Sequence, residues 1–370
     1  MQVFSLRPET MESMYRGWLA TMCSGGVPRH VKELVALVVS AAGKCWYCTD
    51  SHLIFLLASG VERTKAFDVE RSLAEADSLD SAERATLRFA ARLTTDPRAV
   101  TDDDVLEFAA AWPDADSRNQ IVAVISGQNF IYRIASGLGV QLEIPSALRR
   151  FDTGRRGAIT FLARLTALST ELGERPLAAR TPEENRHAFE HLFMSQLGFS
   201  GLPPGYRSLE DCPEIFDAQL RVIEKSVAVV PRDRWMRVGL VVSRLTGCDY
   251  LSQHCGDWLG ARGVDASDVI AASEGAGSSL PESEECCLRF TRDLTLHSHT
   301  IGEERIAELR KKGLSDGAIL DLTYVGAVFN ATARYMRVLA VLERVESGGA
   351  GPDDDDAEDE QVALEEKVSA

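Results

Sequence analysis

Two cysteines and a histidine lie close together in the stretch "GKCWYCTDSHLIF", residues 43–55. Cys45 and Cys48 are three positions apart, and His52 follows four positions after Cys48. On a helix these three side chains share one face, with Cβ atoms about 5–6 Å apart. The two sulfur atoms could then react with each other, and the imidazole could accept or return a proton. The spacing therefore predicts thiol chemistry at this face.

The residues before Cys45 predict that a new helix begins at the cysteines. Gly43 and Lys44 interrupt an apolar helical pattern, which places Cys45 and Cys48 in or near the first turn of the next helix. Unpaired backbone N–H groups and the positive end of the helix dipole stabilise a thiolate there. This position therefore favours a reactive thiol.

An acidic residue upstream is the fourth candidate for the site. Glu33 is the only acid in the apolar stretch of residues 31–42. A carboxylate on such a helix is costly unless it faces solvent or a partner. If the chain folds back at residues 43 and 44, Glu33 could orient His52 or relay its proton.

The chain also carries an internal repeat, which we interpret as a duplication. Residues 35–61 align without gaps to residues 238–264, at a constant offset of 203 positions. Residues 85–94 align to residues 286–295 at an offset of 201. The same offset relates two polar pairs, Asn129 with Arg133 and Asn330 with Arg334. We expect these pairs to fix helix packing through buried hydrogen bonds or to line a pocket.

The second copy keeps only one of the four chemical residues. In the order Glu33, Cys45, Cys48 and His52, the aligned positions hold Met236, Cys248, Leu251 and Cys255. We therefore expect the second copy to be a structural or pocket-forming partner of the first.

Helical periodicity dominates both copies, and no segment alternates as a strand followed by a hairpin turn. The predicted fold class is all-α, with two similar helical bundles in tandem. The predicted domains are a first bundle with the complete site, a connecting helical segment, a degenerate second bundle and an acidic disordered tail. Their ranges are 1–150, 151–200, 201–348 and 349–370.

Composition restricts the partners. The formal net charge of -16 argues against a nucleic-acid partner, and half of it comes from residues 351–370. No apolar run approaches the length of a membrane span, and the N-terminus lacks a signal-peptide pattern, so we expect a cytoplasmic protein without a membrane partner. Eight cysteines in 370 residues are too few for a disulfide scaffold, which favours a redox-active or metal-binding CxxC.

The four candidate residues together resemble a known signature. Glu33, eleven intervening residues and then Cys45-x-x-Cys48-x-x-x-His52 are similar to the alkyl hydroperoxidase D-like branch of the carboxymuconolactone decarboxylase family. The resemblance implies two alkyl hydroperoxidase D-like helical bundles that oligomerise, here as a dimer or trimer. It also implies that Cys48 attacks a peroxide and Cys45 resolves the sulfenic acid as a disulfide, while His52 and Glu33 relay protons.

The same resemblance implies the partners of a peroxidase. They are a small organic hydroperoxide or another small molecule and an external dithiol reductant of the lipoyl or thioredoxin type, with no cofactor. One position departs from the family pattern, because Tyr47 stands where its best-known peroxidases carry a histidine. Trp46 and Tyr47 are expected to form an apolar wall beside the thiols.

Three alternatives stay open at this point. Cys45, Cys48 and His52 could supply three zinc ligands, but no nearby motif supplies the fourth that a structural site needs. A decarboxylase-like lyase or biosynthetic enzyme could act on a small organic acid, with His52 as its acid or base. A binding protein without turnover could use the CxxC to sense redox state.

Overall fold

The computed structural model describes residues 5–140, 144, 148, 150–168, 179–201, 203 and 205–346. These residues form sixteen α-helices and no β-strand, so the predicted all-α class is confirmed. Among them, no helix combines the length and the apolar character that a membrane crossing requires. The predicted acidic tail lies outside the described residues.

The helices are numbered in chain order. They are α1 (Pro8–Met22), α2 (Arg29–Ala42), α3 (Trp46–Ala58), α4 (Arg63–Ser72), α5 (Ser81–Thr95), α6 (Asp102–Ala111), α7 (Ala115–Gly137), α8 (Asp152–Ala167), α9 (Pro182–Glu190), α10 (Pro213–Val229), α11 (Arg232–Thr246), α12 (Asp249–Gly260), α13 (Ala266–Glu274), α14 (Glu282–His297), α15 (Glu303–Lys311) and α16 (Asp316–Glu346).

Helix α2 is the central element of the first copy. Every residue from Lys32 to Ser40 is buried, because the segment "ELVALVVS" is apolar on almost all sides. The helix packs against α3, α5 and α7. It therefore holds Glu33 in the interior, next to the helix that carries the cysteines.

The second copy repeats this packing order. Helix α11 packs against α12, α14 and α16, as α2 packs against α3, α5 and α7. The two sets of helices meet where α7 lies along α16 and α1 lies along α10. Their apolar side chains form one continuous hydrophobic core, so the two copies fold around a shared interior.

The recurring asparagine–arginine pairs lie at this junction. Asn129 Nδ2 donates to Thr94 Oγ1 at 3.0 Å, and Arg133 Nη1 donates to Asn129 Oδ1 at 2.7 Å. The second copy makes the same two bonds, at 3.0 and 2.8 Å, through Asn330, Thr295 and Arg334. The expected buried hydrogen bonds are therefore confirmed.

Each arginine also reaches across to the other copy. Arg133 Nη2 donates to the backbone carbonyl of Thr295 at 3.0 Å, and Arg334 Nε donates to that of Leu93 at 3.0 Å. Both side chains are buried, and the carbonyls they bind lie at the C-terminal ends of α14 and α5. The two copies are thus joined by reciprocal bonds from side chain to backbone.

Helix α8 belongs to the segment that the sequence predicted as a connector, and it packs against α3. Arg155 on α8 forms an ion pair with the buried Asp50 of α3 and a second one, at 2.7 Å, with Glu70 of α4. The segment therefore also braces the helix that carries Cys48 and His52.

Candidate active site

The turn between α2 and α3 sets the position of the first thiol. Helix α2 ends at Ala42 and α3 begins at Trp46, with Cys45 as the N-cap residue, as the sequence predicts. A Cβ atom at Gly43 would lie 2.7 Å from the ring of Tyr132, so only glycine fits there. Lys44 has a φ of 57°, which lets the chain reverse and place α3 alongside α2.

The two cysteines form a buried dithiol. The Cys45 and Cys48 sulfur atoms are 2.9 Å apart, and the Cys48 backbone N–H donates to Cys45 Sγ at 3.4 Å. Both cysteines are free thiols, and they are only 3% and 2% exposed. The pair is therefore placed for disulfide formation, and a reagent can reach it only after neighbouring side chains move.

The pair carries its negative charge on Cys45. The Cys48 thiol donates a hydrogen bond to the Cys45 sulfur, and this is the main reason why the pKa of Cys45 falls to about 7. Burial opposes the fall, while the Cys48 backbone N–H, Ser136 and the charge of His52 support it. Burial and the proximity of Cys45 raise the pKa of Cys48 well above its usual value. Of the two thiols, Cys45 therefore loses its proton first, and Cys48 is the thiol that donates to it.

A carboxylate and an imidazole lie beside the dithiol. Glu33 is fully buried, and its Oε2 is 2.7 Å from His52 Nδ1. An ionised carboxylate can only accept, so His52 donates from Nδ1, and Nε2 is its other proton-exchanging atom. The structure therefore brings together all four residues that the sequence singled out.

Arg29 is a site residue that the sequence analysis missed. Its Nε donates to Glu33 Oε1 at 2.6 Å, so Glu33 binds a cation through one oxygen and His52 through the other. The guanidinium lies 5.1 Å from the ring centroid of Trp18 and 5.8 Å from that of Phe55. Arg29 precedes Glu33 by four residues on α2, and this spacing is the signal that would have found it.

Two polar side chains of α7 complete the environment of the sulfurs. Gln128 binds the Cys48 sulfur, which partly offsets the rise in its pKa, and donates to Ser40 Oγ at 2.8 Å. Ser136 binds the sulfur of Cys45. Both are polar residues on a long apolar helix, so only their unusual context could have marked them in the sequence.

The expected apolar wall of Trp46 and Tyr47 is wrong for Trp46. Its ring is 70% exposed and lies under the Arg155 guanidinium, 5.9 Å from the ring centroid. Only Tyr47 is partly buried. Trp46 is the first residue of α3, directly after the buried Cys45, but its own side chain is exposed.

An apolar cleft between the two copies leads toward Cys48. Helices α1, α7, α10 and α16 contribute its walls, which include Met14, Trp18, Phe130, Val222 and Gln128. Its volume is about 70 Å³. Because Gln128 lines the cleft and also binds the Cys48 sulfur, this face is the nearest apolar approach to the thiols.

The corresponding position in the second copy has a different character. Cys248 is again the N-cap residue of its helix, but burial raises its pKa to about 11. Met236, Leu251 and Cys255 are all buried in the apolar core. The aligned positions hold no acid and no imidazole, and the thiol of Cys255 stands in place of His52 while Leu251 stands in place of Cys48, which fits a structural role for this copy.

The zinc alternative can be compared with the geometry. Among the residues described by the structure, no group of three or more His, Cys, Asp or Glu side chains is arranged to hold a metal ion. The contacts of His52 and Cys48 are instead with Glu33, Cys45 and Gln128.

Comparison with known families agrees with this site. The fold is all-α, a dithiol lies at a helix start, and a Glu–His pair is buried beside it. These features place the protein in the class of helical bundles that carry thiols. Residues 8–92 match the model of the carboxymuconolactone decarboxylase family. The matched region contains all four predicted site residues, and members of the family are generally enzymes. A search of curated proteins gave no match.

Proposed function

We propose that the protein is a thiol-dependent oxidoreductase that reduces a small organic hydroperoxide through Cys45 and Cys48. The single observation that carries this proposal is the sulfur–sulfur distance of 2.9 Å, combined with a Cys45 pKa of about 7. Such a pair supplies a nucleophile and a resolving thiol in one place. An ordinary pair of buried structural cysteines would have raised pKa values instead.

The proposed reaction has two steps. The Cys45 thiolate attacks the outer peroxide oxygen, the O–O bond breaks, and the alkoxide takes a proton from His52 to leave as an alcohol. The Cys48 sulfur then attacks Cys45 and the S–O bond breaks. The leaving hydroxide takes the proton of the Cys48 thiol and departs as water. Two thiols and one hydroperoxide thus give one disulfide, one alcohol and one water, and an external dithiol reduces the disulfide.

This order of attack is the reverse of the one that the family resemblance implies. The thiolate is the nucleophilic form of cysteine, and the contacts favour the thiolate on Cys45. An attack by Cys48 would first require its proton to move to Cys45 or His52. The single-cysteine variants described in the Discussion distinguish the two orders.

His52 acts in this proposal as the proton relay, and Glu33 and Arg29 are positioning residues. The bond of 2.7 Å between Glu33 Oε2 and His52 Nδ1 fixes the orientation of the ring. Arg29 holds the other carboxylate oxygen at 2.6 Å. General acid–base contributions of this kind are worth roughly 10²–10⁴ in rate.

The narrow apolar cleft supports an organic substrate. Its lining is dominated by apolar side chains such as Met14, Phe130 and Val222, which favour an alkyl hydroperoxide over a charged one. The reductant, a dithiol of the lipoyl or thioredoxin type, stays a prediction. A cytoplasmic location and assembly into a dimer or trimer also stay predictions.

We also propose that the two bundles arose by duplication, with the domain ranges given by the sequence analysis. Two observations support this proposal. The helices of both copies pack in the same order around α2 and α11, and the two asparagine–arginine pairs make equivalent bonds.

The decisive experiment treats the reduced protein with one equivalent of cumene hydroperoxide without oxygen. We expect peroxide loss, one Cys45–Cys48 disulfide per chain and a reduced Cys248, measured by peptide mass spectrometry. The Cys248→Ser variant is the matched control and should behave as wild type. Stoichiometric peroxide loss with Cys45 and Cys48 still free would overturn the proposal.

A decarboxylase-like lyase is the second candidate, because the matched family is named after a decarboxylase and the buried Glu33–His52 pair is suited to acid–base chemistry. In that case the Cys45→Ser/Cys48→Ser variant should retain turnover of a small organic acid such as a lactone carboxylate. If peroxide forms the disulfide but no dithiol then supports turnover, the result would instead indicate a redox-sensing protein.

A further inference from the structure

A second cleft lies between the two copies, on the other side of the turn that precedes Cys45. Its volume is about 210 Å³. The α2–α3 turn at Gly43 and Lys44 forms one side, and the short helical turn Ser298–Thr300 forms another. Buried residues of α7 and α16 form the floor. The proposed thiol reaction makes no use of this cleft.

The lining of this cleft is unusually rich in basic groups. Five basic side chains contribute to it, and no aspartate or glutamate is among its lining residues. The five are Lys44, Arg133, His297, His299 and Arg334. A protein with a formal net charge of -16 thus has a cavity that is lined by basic groups.

The two arginines at the floor have no acidic partner. Arg133 and Arg334 are 1% and 2% exposed, and among the described residues neither makes an ion pair with a carboxylate. Their bonds go to Asn side chains and backbone carbonyls. The Nε atom of Arg133 is buried and has no hydrogen-bond partner in the part of the chain that the structure describes. A buried guanidinium with an unused donor is costly unless a ligand pairs with it.

The cations also act on one another. Burial, followed by the charge of Arg133, holds the pKa of Arg334 well below its usual value. Burial, followed by the charges of Lys44 and His297, lowers the pKa of His299. Positive groups held this close together are stabilised by an anion between them.

Lys44 gives an independent indication of function. It has a φ of 57°, in the left-handed region that side chains rarely adopt, whereas the aligned residue of the second copy is Gly247 with a φ of 70°. A Cβ at Gly247 would collide with the Arg337 guanidinium, but the first copy tolerates a lysine whose exposed side chain lies at the mouth of the cleft. An outlier of this kind is retained where the side chain has a role.

We propose that this cleft is a binding site for a small oxyanion, namely the carboxylate or phosphate group of a small molecule. Arg133 and Arg334 face the anion from the floor, and Lys44 and His299 close over it from the mouth. Guanidinium and ammonium groups together are the usual recognition set for such anions. Bound there, the anion would connect the α2–α3 turn with the second copy.

The test measures binding of inorganic phosphate and of succinate by isothermal titration calorimetry. A chloride salt keeps the ionic strength constant, so that changes in the screening of charges do not contribute to the measured binding. We expect saturable binding of one anion per chain by at least one of the two probes. Binding of phosphate alone assigns a phosphate-bearing ligand, and binding of succinate alone assigns a carboxylate.

The Lys44→Gln/His299→Gln variant removes both donors at the mouth without touching the buried bonds. We expect its dissociation constant to rise at least tenfold, whereas Lys311→Gln, an exposed lysine outside the cleft, should bind as wild type. Arg133→Met and Arg334→Met variants are informative only if they fold, because these side chains also hold the junction. No saturable binding of either probe, or equal affinity in the Lys44→Gln/His299→Gln variant, would overturn the proposal. Neither result depends on peroxide consumption.

Discussion

Two helices of the molecule begin in almost the same way, and only one of them has a reactive thiol. Cys45 and Cys248 are both N-cap residues that follow a residue with positive φ. The backbone N–H of Cys45 donates to the Ser40 carbonyl at 3.0 Å, and that of Cys248 donates to the Ser243 carbonyl at 3.0 Å. Yet the pKa of Cys45 falls to about 7, and that of Cys248 rises to about 11.

The difference lies in the residue three positions further along. The Cys48 sulfur lies 2.9 Å from that of Cys45, and its hydrogen bond lowers the pKa of Cys45, whereas Leu251 at the aligned position is a buried apolar residue beside Cys248. Both cysteines have a helix start and a backbone donor. A helix N-terminus is therefore not sufficient to ionise a buried thiol, and the second thiol decides the outcome.

The largest effect is expected when the site at Cys45 is made to resemble the site at Cys248. The Cys48→Leu variant removes the donor, so the pKa of Cys45 should rise toward about 11, the value at Cys248. At pH 7 the thiolate fraction would fall from about one half to about one in ten thousand, because each pKa unit is a factor of ten. Peroxide turnover should be lost completely.

The measurement is the pH dependence of Cys45 alkylation by iodoacetamide, followed by mass spectrometry. In wild type the rate should rise with a midpoint near pH 7, the pKa of Cys45, and level off about two pH units higher, where the thiolate is fully formed. In Cys48→Leu it should still be rising at pH 10. The Cys286→Ser variant serves as a control for the loss of a cysteine elsewhere. Matching profiles in wild type and Cys48→Leu would show that Cys48 does not set the charge.

The two serine variants test which thiol attacks. Cys48→Ser keeps a hydroxyl donor beside Cys45, so one equivalent of peroxide should leave a Cys45 sulfenic acid that dimedone traps. Cys45→Ser should react at least tenfold more slowly, because burial raises the pKa of Cys48. A rapid sulfenic acid on Cys48 in Cys45→Ser would restore the order that the family resemblance implies.

A smaller effect is expected at the Glu33–His52 pair, for which the second copy has Met236 and Cys255. Glu33→Gln should slow peroxide reduction by roughly 10- to 1000-fold, less than the full general acid–base contribution of about 10²–10⁴, because His52 itself is retained. The carboxylate holds the His52 ring in place, and the charge of His52 lowers the pKa of Cys45. The alkylation profile of Cys45 should therefore shift to higher pH in the variant.

A structural defect alone would not shift that profile, so the profile separates positioning from folding. Glu12→Gln, at an exposed glutamate of α1 that pairs with Arg16, is the matched control. Unchanged rate and unchanged profile in Glu33→Gln would remove Glu33 from the relay.

The smallest effect is expected from the converse change in the second copy. Leu251→Cys places a thiol three residues after Cys248, so the pKa of Cys248 should fall and its alkylation at pH 8 should become measurably faster. The lost apolar volume should lower the free energy of unfolding by about 1–3 kcal/mol, measured by urea denaturation. No peroxide turnover should appear in a background where Cys48 is serine, because Met236 and Cys255 supply no proton relay.

The sequence predicted those features that depend on spacing along one helix or between aligned copies. The helix start at Cys45, the partner of Glu33 and the bonds of the asparagine–arginine pairs follow from periodicity, from the cost of buried charge and from repetition. Arg29 was missed because a glutamate and an arginine four residues apart are usually a solvated surface pair. Only the burial of α2 turns this pair into part of a site.

Other features depend on the tertiary packing and could not be predicted. The orientation of Trp46 depends on which helices cover α3, and the role of Arg155 depends on where α8 packs. The charge on Cys45 instead of Cys48 follows from the burial of both sulfurs and from the donors that α7 provides. None of these three features can be predicted from a local sequence pattern.

The reciprocal arginines have a consequence for how the chain can be divided. Arg133 and Arg334 each bind a backbone carbonyl that the other half of the polypeptide provides. A cut between the halves would leave each fragment with one guanidinium and one backbone carbonyl that lack their hydrogen-bond partners. It would also expose a broad apolar surface on each fragment. The two fragments should therefore be recovered in soluble form only when they are produced together, so that each acts as the folding template of the other.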